Sequence, residues 1–135
     1  MLEVYLHWTT LLTVALLFGG MLLFSSSFAA FLLRHLQPEE ARMLIRKAFP
    51  LFYLFVMGSS GLAGLLSVKS DALTATWMAV VMVSAAAARQ ILMPLINRAT
   101  DHGDKVRFRR LHGVSMLLTL AHIVISAGIV LHIAQ

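Results

Sequence analysis

An uninterrupted apolar run near the N-terminus constrains this chain more than any other feature. Residues 4–33 contain no Lys, Arg, Asp or Glu, and Tyr5 and His7 are the only ionisable side chains among them. At ~1.5 Å per helical residue, a run of this length crosses a hydrocarbon layer ~30 Å thick even when the helix is tilted. The run therefore predicts a membrane-spanning helix.

The composition of the whole chain is that of a membrane protein. Of its 135 residues, 59% are hydrophobic and only 13% are charged, whereas about 25% charged residues is usual in soluble domains. Charged and polar stretches divide the chain into four apolar segments, at about 4–33, 50–68, 72–95 and 111–134. Each has roughly the length that one transmembrane helix needs. We predict an all-α fold in which residues 1–135 form a single domain, an integral membrane four-helix antiparallel bundle.

The predicted connections are short. Pro38 suits the first turn of a helix, and the two following glutamates suit its positive end, so we expect a short cytoplasmic interfacial helix in the first loop, running to Ala48 and ending before Pro50. The second loop, 68–71, forces the second and third helices into a hairpin, with Ser70 or Asp71 as the N-cap. We expect the third loop, about 97–110, to be a polar connection.

The distribution of basic residues predicts the orientation. Ten of the eleven Lys and Arg residues lie in or beside the first and third loops, and Lys69 alone lies in the second. By the positive-inside rule, the first and third loops face the cytoplasm. We expect an integral protein of the bacterial inner membrane with both termini outside the cytoplasm, and an N-terminal segment that is retained rather than cleaved.

Small residues recur within the predicted helices. Ser60 and Gly64 form a small-xxx-small pair in the second helix, and Ser84 precedes four consecutive alanines in the third. Small residues allow helix backbones to approach closely in lipid, where packing replaces the hydrophobic effect. We therefore expect closely packed helices.

Several local motifs resemble those of one family. They are Gly19-Gly20-Met21 with Phe24, Ala29-Ala30, Leu36 and Phe49-Pro50-Leu51-Phe52-Tyr53 in the first half, and Pro94, Asn97, Asp101, Phe108, Leu111-His112-Gly113 and Ser115 in the second. Together they resemble the small four-helix membrane proteins related to transmembrane protein 205, a family classed as a domain of unknown function. The resemblance implies the fold and the bilayer, and it implies no activity. The chain departs from the family pattern at Thr119, where an asparagine is common, and at His122.

A second resemblance rests on fewer residues. Leu6-His7-Trp8 and Arg34-His35 are similar to the small four-helix protoporphyrinogen oxidases and copper-resistance membrane proteins. The later helices of those proteins have no counterpart in this chain.

Histidines inside apolar runs are the first candidate site. His7, His122 and His132 could bind haem b or a metal ion, because neutral imidazole is a ligand for both. His7 and His132 are expected at similar depth near the outer end, whereas His122 lies about 15 Å deeper than His132 along its helix. The alternatives are an interfacial position for His7 and His132, and an interhelical hydrogen bond from His122 to a Ser or Thr hydroxyl.

A second candidate site lies near the cytoplasmic end. The polar residues there are Arg89, Asn97, Asp101, His112 and Ser115. Such a cluster could bind an anion, a lipid headgroup or a partner subunit. The alternative is that Arg89 extends to the lipid phosphates while Asp101 and Asp104 pair with surface arginines.

Several classes of function are excluded or not indicated by the sequence. The absence of cysteine excludes thiolate chemistry and disulfides, and no phosphate-binding loop, HExxH or G-x-S-x-G motif occurs. The basic residues border apolar segments, which argues against nucleic acid binding. We expect a non-enzymatic accessory or assembly subunit that contacts the lipid bilayer and either another membrane protein or a second copy of itself. The alternatives are a haem- or metal-binding redox protein and a small transport or lipid-handling protein.

Overall fold

Four long helices joined by short turns make up the structure. The computed structural model describes all 135 residues and contains no strand. The helices are α1, Leu2–His35; α2, Pro38–Ser67; α3, Ala72–Asp101; and α4, Lys105–Ile133. Each is long and apolar enough to cross a membrane. The predicted all-α four-helix membrane bundle is thereby confirmed, and the chain is an integral membrane protein.

The two ends of the bundle differ in composition. We call the end that carries both chain termini and the α2–α3 turn, 68–71, the terminal end. The other end carries the turns 36–37 and 102–104 and most of the basic residues, and we call it the basic end.

The helix α2 begins earlier than the apolar pattern predicts. The segment expected to form a separate interfacial helix is continuous with the membrane-spanning part, and Pro50 lies inside the helix. The expected break before Pro50 is therefore wrong. A proline removes one backbone hydrogen bond and need not end a transmembrane helix, because side chains and neighbouring helices satisfy the freed groups.

Two helices contain a segment of π-helix. In α1 the π segment is Leu23–Phe28, and the backbone amide of Ala29 donates to the carbonyl of Phe24, five residues earlier. In α3 it is Ala88–Leu92, followed by Pro94. The helix is locally widened in this segment and continues past Pro94 to Asp101. Short π segments are frequent at functional sites.

The α3–α4 turn is shorter than predicted. Only His102, Gly103 and Asp104 lie outside the helices, because the polar residues on either side continue the helical pattern. Gly103 has φ 66°, a left-handed conformation that glycine adopts without strain and that commonly ends a helix. The Asp104 side chain then caps α4 by accepting a hydrogen bond from the amide of Arg107 at 3.0 Å.

The core runs along the middle of the bundle. The largest fully buried side chains are Val14, Leu17, Met21, Val56, Met78 and Val81. Helix α1 packs against α2 and α4, and α2 packs against α3. The helices α3 and α4 contact each other mainly through Met93–Asp101, near the basic end. Towards the terminal end they diverge and leave a groove between them.

Candidate functional site

His122 forms the hydrogen bond between helices that the sequence predicts as one of two alternatives. Its ring is buried, and Nε2 lies 2.8 Å from Oγ of Ser84 on α3. The Ser84 hydroxyl donates to the carbonyl of Val80 at 2.6 Å, so Nε2 of His122 is the donor to Ser84. The contact joins α3 and α4 near the middle of both helices. It also satisfies an imidazole that lipid alone would leave without a partner.

His7 and His132 lie at the same end of the bundle, around Asp71. Nε2 of His132 is 3.2 Å from Oδ2 of Asp71, and His7 lines a cleft that Asp71 also lines. Asp71, one of the two predicted candidates, is the N-cap of α3. It accepts hydrogen bonds from the amide of Thr74 at 3.1 Å and from its hydroxyl at 2.5 Å. Partial burial raises the pKa of the Asp71 carboxyl, but the Thr74 hydrogen bonds and the nearby His132 outweigh it, so the pKa lies below its usual value.

These contacts bear on haem or metal binding. Nε2 is the usual iron-binding atom of histidine, and in both His122 and His132 it already contacts a protein side chain. Iron at either residue would displace Ser84 or Asp71. His7 is exposed, and its ring meets that of Trp8 edge-on at 5.5 Å between centroids. Ligation of haem b by these histidines stays a prediction.

An ion pair joins α2 and α3 at the basic end. Nη1 and Nη2 of Arg46 donate to the two carboxylate oxygens of Asp101 at 2.8 and 2.9 Å. Both side chains are about half exposed. The bidentate pair therefore contributes little to the free energy of unfolding, and its main effect is to fix the relative position of the two helix ends. The predicted pairing of Asp101 with a surface arginine is confirmed. The same prediction for Asp104 is wrong, because its carboxylate caps α4 on the backbone amide of Arg107 and forms no salt bridge.

An aromatic cluster lies next to this ion pair along α2. It comprises Phe24, Phe28, Phe49, Phe52 and Tyr53, from α1 and α2. Phe24, in the π segment of α1, stacks on Phe52 with centroids 4.4 Å apart. Tyr53 extends the contact to α4, because its hydroxyl lies 3.2 Å from Oγ of Ser115 in a buried hydrogen bond. The cluster thus connects three helices.

Arg89 and Gln90 are two neighbouring polar side chains of α3 without a hydrogen-bond partner in the bundle. Both belong to the π segment of α3, and Gln90 lies about 16 Å from the Asp101 end of the helix. Nε of Arg89 is buried without a hydrogen-bond partner. Gln90 is exposed on the helix surface, and none of the side-chain hydrogen bonds of α3 involves its amide. A polar group at this depth costs free energy unless another molecule supplies a partner.

The five residues predicted to form one cluster have different partners. Asp101 binds Arg46, and Ser115 binds Tyr53. The ring of His112 stacks on Phe108 with centroids 5.4 Å apart, and it is exposed. Asn97 is half-buried. No contact in the structure joins these residues into a single anion site, and Nε of Arg89 is the buried polar atom among them without a hydrogen-bond partner.

A family profile matches the segment that contains most of these contacts. The profile is described as Domain of unknown function (DUF4149), and it matches residues 12–105. The chain belongs to this family. No curated protein and no solved structure matches the chain.

The segment matched by the DUF4149 profile divides the candidate residues into two groups. Inside it lie the Arg46–Asp101 pair, the aromatic cluster, and Arg89 with Gln90. The candidate ligands His7, His122 and His132 lie outside it. The matched segment therefore contains the candidate residues that lie towards the basic end of α1, α2 and α3.

The sequence alone does not indicate which residues Arg46, Tyr53 and Ser84 contact. Each is a partner contributed by another helix, so its role depends on which helix faces meet. Tyr53 belongs to the Phe49–Tyr53 motif, and that motif is the feature of the sequence that singles it out. Gln90, adjacent to Arg89, had a signal of its own, since it interrupts an apolar segment with an uncharged amide.

Proposed function

We propose that this protein is a non-enzymatic accessory or assembly subunit that packs in the bilayer against another membrane protein. One observation carries the proposal: the amide of Gln90 is exposed in the apolar part of α3 without a partner in the chain. A polar group inside a membrane is satisfied by a neighbouring helix or by a water-filled cavity. A protein partner with matching polar groups supplies what this bundle lacks.

The surface around Gln90 is suited to close contact with a second helix. Val83 and Ala87 lie seven and three residues before Gln90, and all three are exposed. Residues at this spacing share one face of a helix. The face therefore presents one hydrogen-bonding side chain among small and medium apolar ones, a combination that favours helix association in lipid.

Cysteine cross-linking tests the proposed contact surface. Because the chain has no cysteine, a single Ala87→Cys variant reports on the Gln90 face. With a membrane-permeant bifunctional reagent, we expect one discrete product of higher mass in native membranes. The control is Leu117→Cys on α4, which is exposed at a similar distance from the basic end and should give no discrete product.

A second variant tests the role of the amide. Adding Gln90→Leu to the Ala87→Cys chain should lower the product yield by roughly threefold to fivefold, the effect of losing one interhelical hydrogen bond in lipid. The mass of the product distinguishes a second copy of this chain from a different protein. Equal products from Ala87→Cys and Leu117→Cys, or an unchanged yield with Gln90→Leu, would contradict the proposal.

The proposed orientation places both termini outside the cytoplasm of a bacterial inner membrane. It is supported by the confinement of ten of the eleven Lys and Arg residues to the basic half of the bundle. Alkaline phosphatase fused after Gln135 should be active, and green fluorescent protein at the same position should be dark. The reverse result would show that the basic end faces outward.

We also propose the finer relationship to proteins like transmembrane protein 205. Its support is that the Gly19-Gly20-Met21 and Phe49–Tyr53 motifs both lie within the matched segment, 12–105. The similarity to protoporphyrinogen oxidases and copper-resistance proteins stays a hypothesis. It rests on Leu6-His7-Trp8, outside that segment, and on Arg34-His35.

A further inference from the structure

A polar cleft opens at the terminal end of the bundle. It has a volume of about 410 Å³ and is lined by Glu3, His7, Thr10, Ser70, Asp71 and Ile133. Two of these residues are carboxylic acids, and the lowered pKa of Asp71 keeps its carboxylate ionised at neutral pH. The cleft therefore offers negative charge and oxygen acceptors, which favour a cation that can donate hydrogen bonds.

An apolar groove lies on the outer surface of the bundle, further from the terminal end than the cleft. It has a volume of about 250 Å³ and is lined by Leu73, Trp77, Ile125, Gly128, Ile129 and His132. The groove exists because α3 and α4 diverge towards the terminal end, and because Gly128 has no side chain. A Cβ built on Gly128 would meet no atom within 4 Å, so the floor of the groove is open.

The cleft and the groove meet at the Asp71–His132 pair. Asp71 lines the cleft and His132 lines the groove, with 3.2 Å between Oδ2 and Nε2. Trp77 lies about 9 Å from Asp71 along α3, and Ile125 lies about 10 Å from His132 along α4, both away from the terminal end. The polar part is thus at the level of the turns and the apolar part is deeper in the bilayer. A phospholipid has its headgroup and acyl chain in the same order.

We propose that the terminal end binds one phospholipid with a primary ammonium headgroup. The ammonium group lies in the cleft against the carboxylates of Glu3 and Asp71, and one acyl chain lies in the groove against Trp77 and Gly128. Charge decides the headgroup, because two carboxylates repel the anionic headgroup of phosphatidylglycerol. A quaternary ammonium has the right charge but no N–H group to donate to these oxygens. The site lies at the terminal end of α3, whereas the proposed protein contact lies near the middle of that helix, and the two are independent.

Fluorescence quenching by brominated lipid tests this proposal directly. The chain has two tryptophans, so Trp8→Phe leaves Trp77 as the only one. The variant is reconstituted into phosphatidylcholine vesicles that contain a small fraction of a lipid with a brominated acyl chain. Brominated phosphatidylethanolamine should quench Trp77 as if its local concentration were roughly fivefold above that of brominated phosphatidylcholine or phosphatidylglycerol, the ratio expected for one charge-assisted hydrogen bond that only a primary ammonium can donate. Equal quenching by all three lipids would overturn the proposal.

Two sets of variants separate the groove from the cleft. Gly128→Leu places a side chain in the groove and should abolish the preference for phosphatidylethanolamine, whereas Gly58→Leu, at another exposed glycine with no atom within 4 Å, should keep it. Glu3→Gln with Asp71→Asn removes both charges while asparagine retains the α3 cap, and should also abolish the preference. A preference that survives Gly128→Leu rules out the groove as the acyl site. One that survives the double variant rules out the carboxylates as the headgroup site.

Discussion

Replacing Leu17 by alanine should lower the free energy of unfolding by about 2–3 kcal/mol, in the lower part of the range for buried leucines. Leu17 lies in the core of the bundle and is 0% exposed. Shortening it leaves a cavity whose lining loses dispersion contacts. In lipid the unfolded helix also keeps its leucine in an apolar solvent, so the transfer contribution is smaller than in a water-soluble protein.

The neighbouring residue is the matched control. Leu16 is 61% exposed on the lipid-facing side of the same helix, so Leu16→Ala should change the free energy of unfolding by less than about 0.5 kcal/mol. Titration of both variants with sodium dodecyl sulfate in mixed micelles, followed by circular dichroism, measures the two effects. Equal destabilisation by the two substitutions would show that α1 is rotated relative to the packing described above.

Replacing Gly64 by leucine should destabilise the contact between α2 and α3 by about 1–3 kcal/mol. A Cβ at Gly64 would lie 3.5 Å from Cβ of Met78 and 3.6 Å from the backbone oxygen of Ala75. The first added carbon is tolerated, but the rest of a leucine side chain has no space beyond it. Because the Ala75 oxygen belongs to the backbone, α3 itself must move away from α2.

Gly58 on the same helix provides the control for this prediction. A Cβ at Gly58 would meet no atom within 4 Å, so Gly58→Leu removes no packing. It should be neutral, or stabilising by up to about 1 kcal/mol because leucine has the higher helix propensity. The same detergent titration compares the two variants. A Gly64→Leu chain as stable as the Gly58→Leu chain would refute the close approach of α2 and α3.

The apolar segments were predictable because membrane-spanning helices need a minimum length of apolar residues, and this requirement depends on the sequence alone. Helix ends were less predictable. Polar residues such as Arg42 and Arg98 lie in helices that extend beyond the apolar segments, and backbone hydrogen bonds within a helix do not require apolar side chains. Pro50 was expected to end a helix and instead lies inside one, because one lost hydrogen bond does not interrupt a long membrane helix.

The candidate sites were predictable only as residue types. Imidazole inside an apolar run indicates a need for a partner, and the bond from His122 to Ser84 satisfies that need. Which hydroxyl is used depends on the rotation of two helices about their axes. The same applies to Ser115, which binds Tyr53 rather than Arg89. A polar residue thus predicts that a contact exists, and the packing decides its partner.

The sequence by itself determined that the helices lie in lipid, how many times the chain crosses the bilayer and that successive helices are antiparallel. The reason is that the length and spacing of apolar runs depend only on local composition. It also placed the basic residues at the two turns of one end. Only the tertiary structure decided that Asp71 both contacts His132 and lines the cleft, and that Arg46 pairs with Asp101. It also decided that a groove lies between α3 and α4. Those contacts join residues far apart in the chain, and their formation depends on how the four helices rotate and cross.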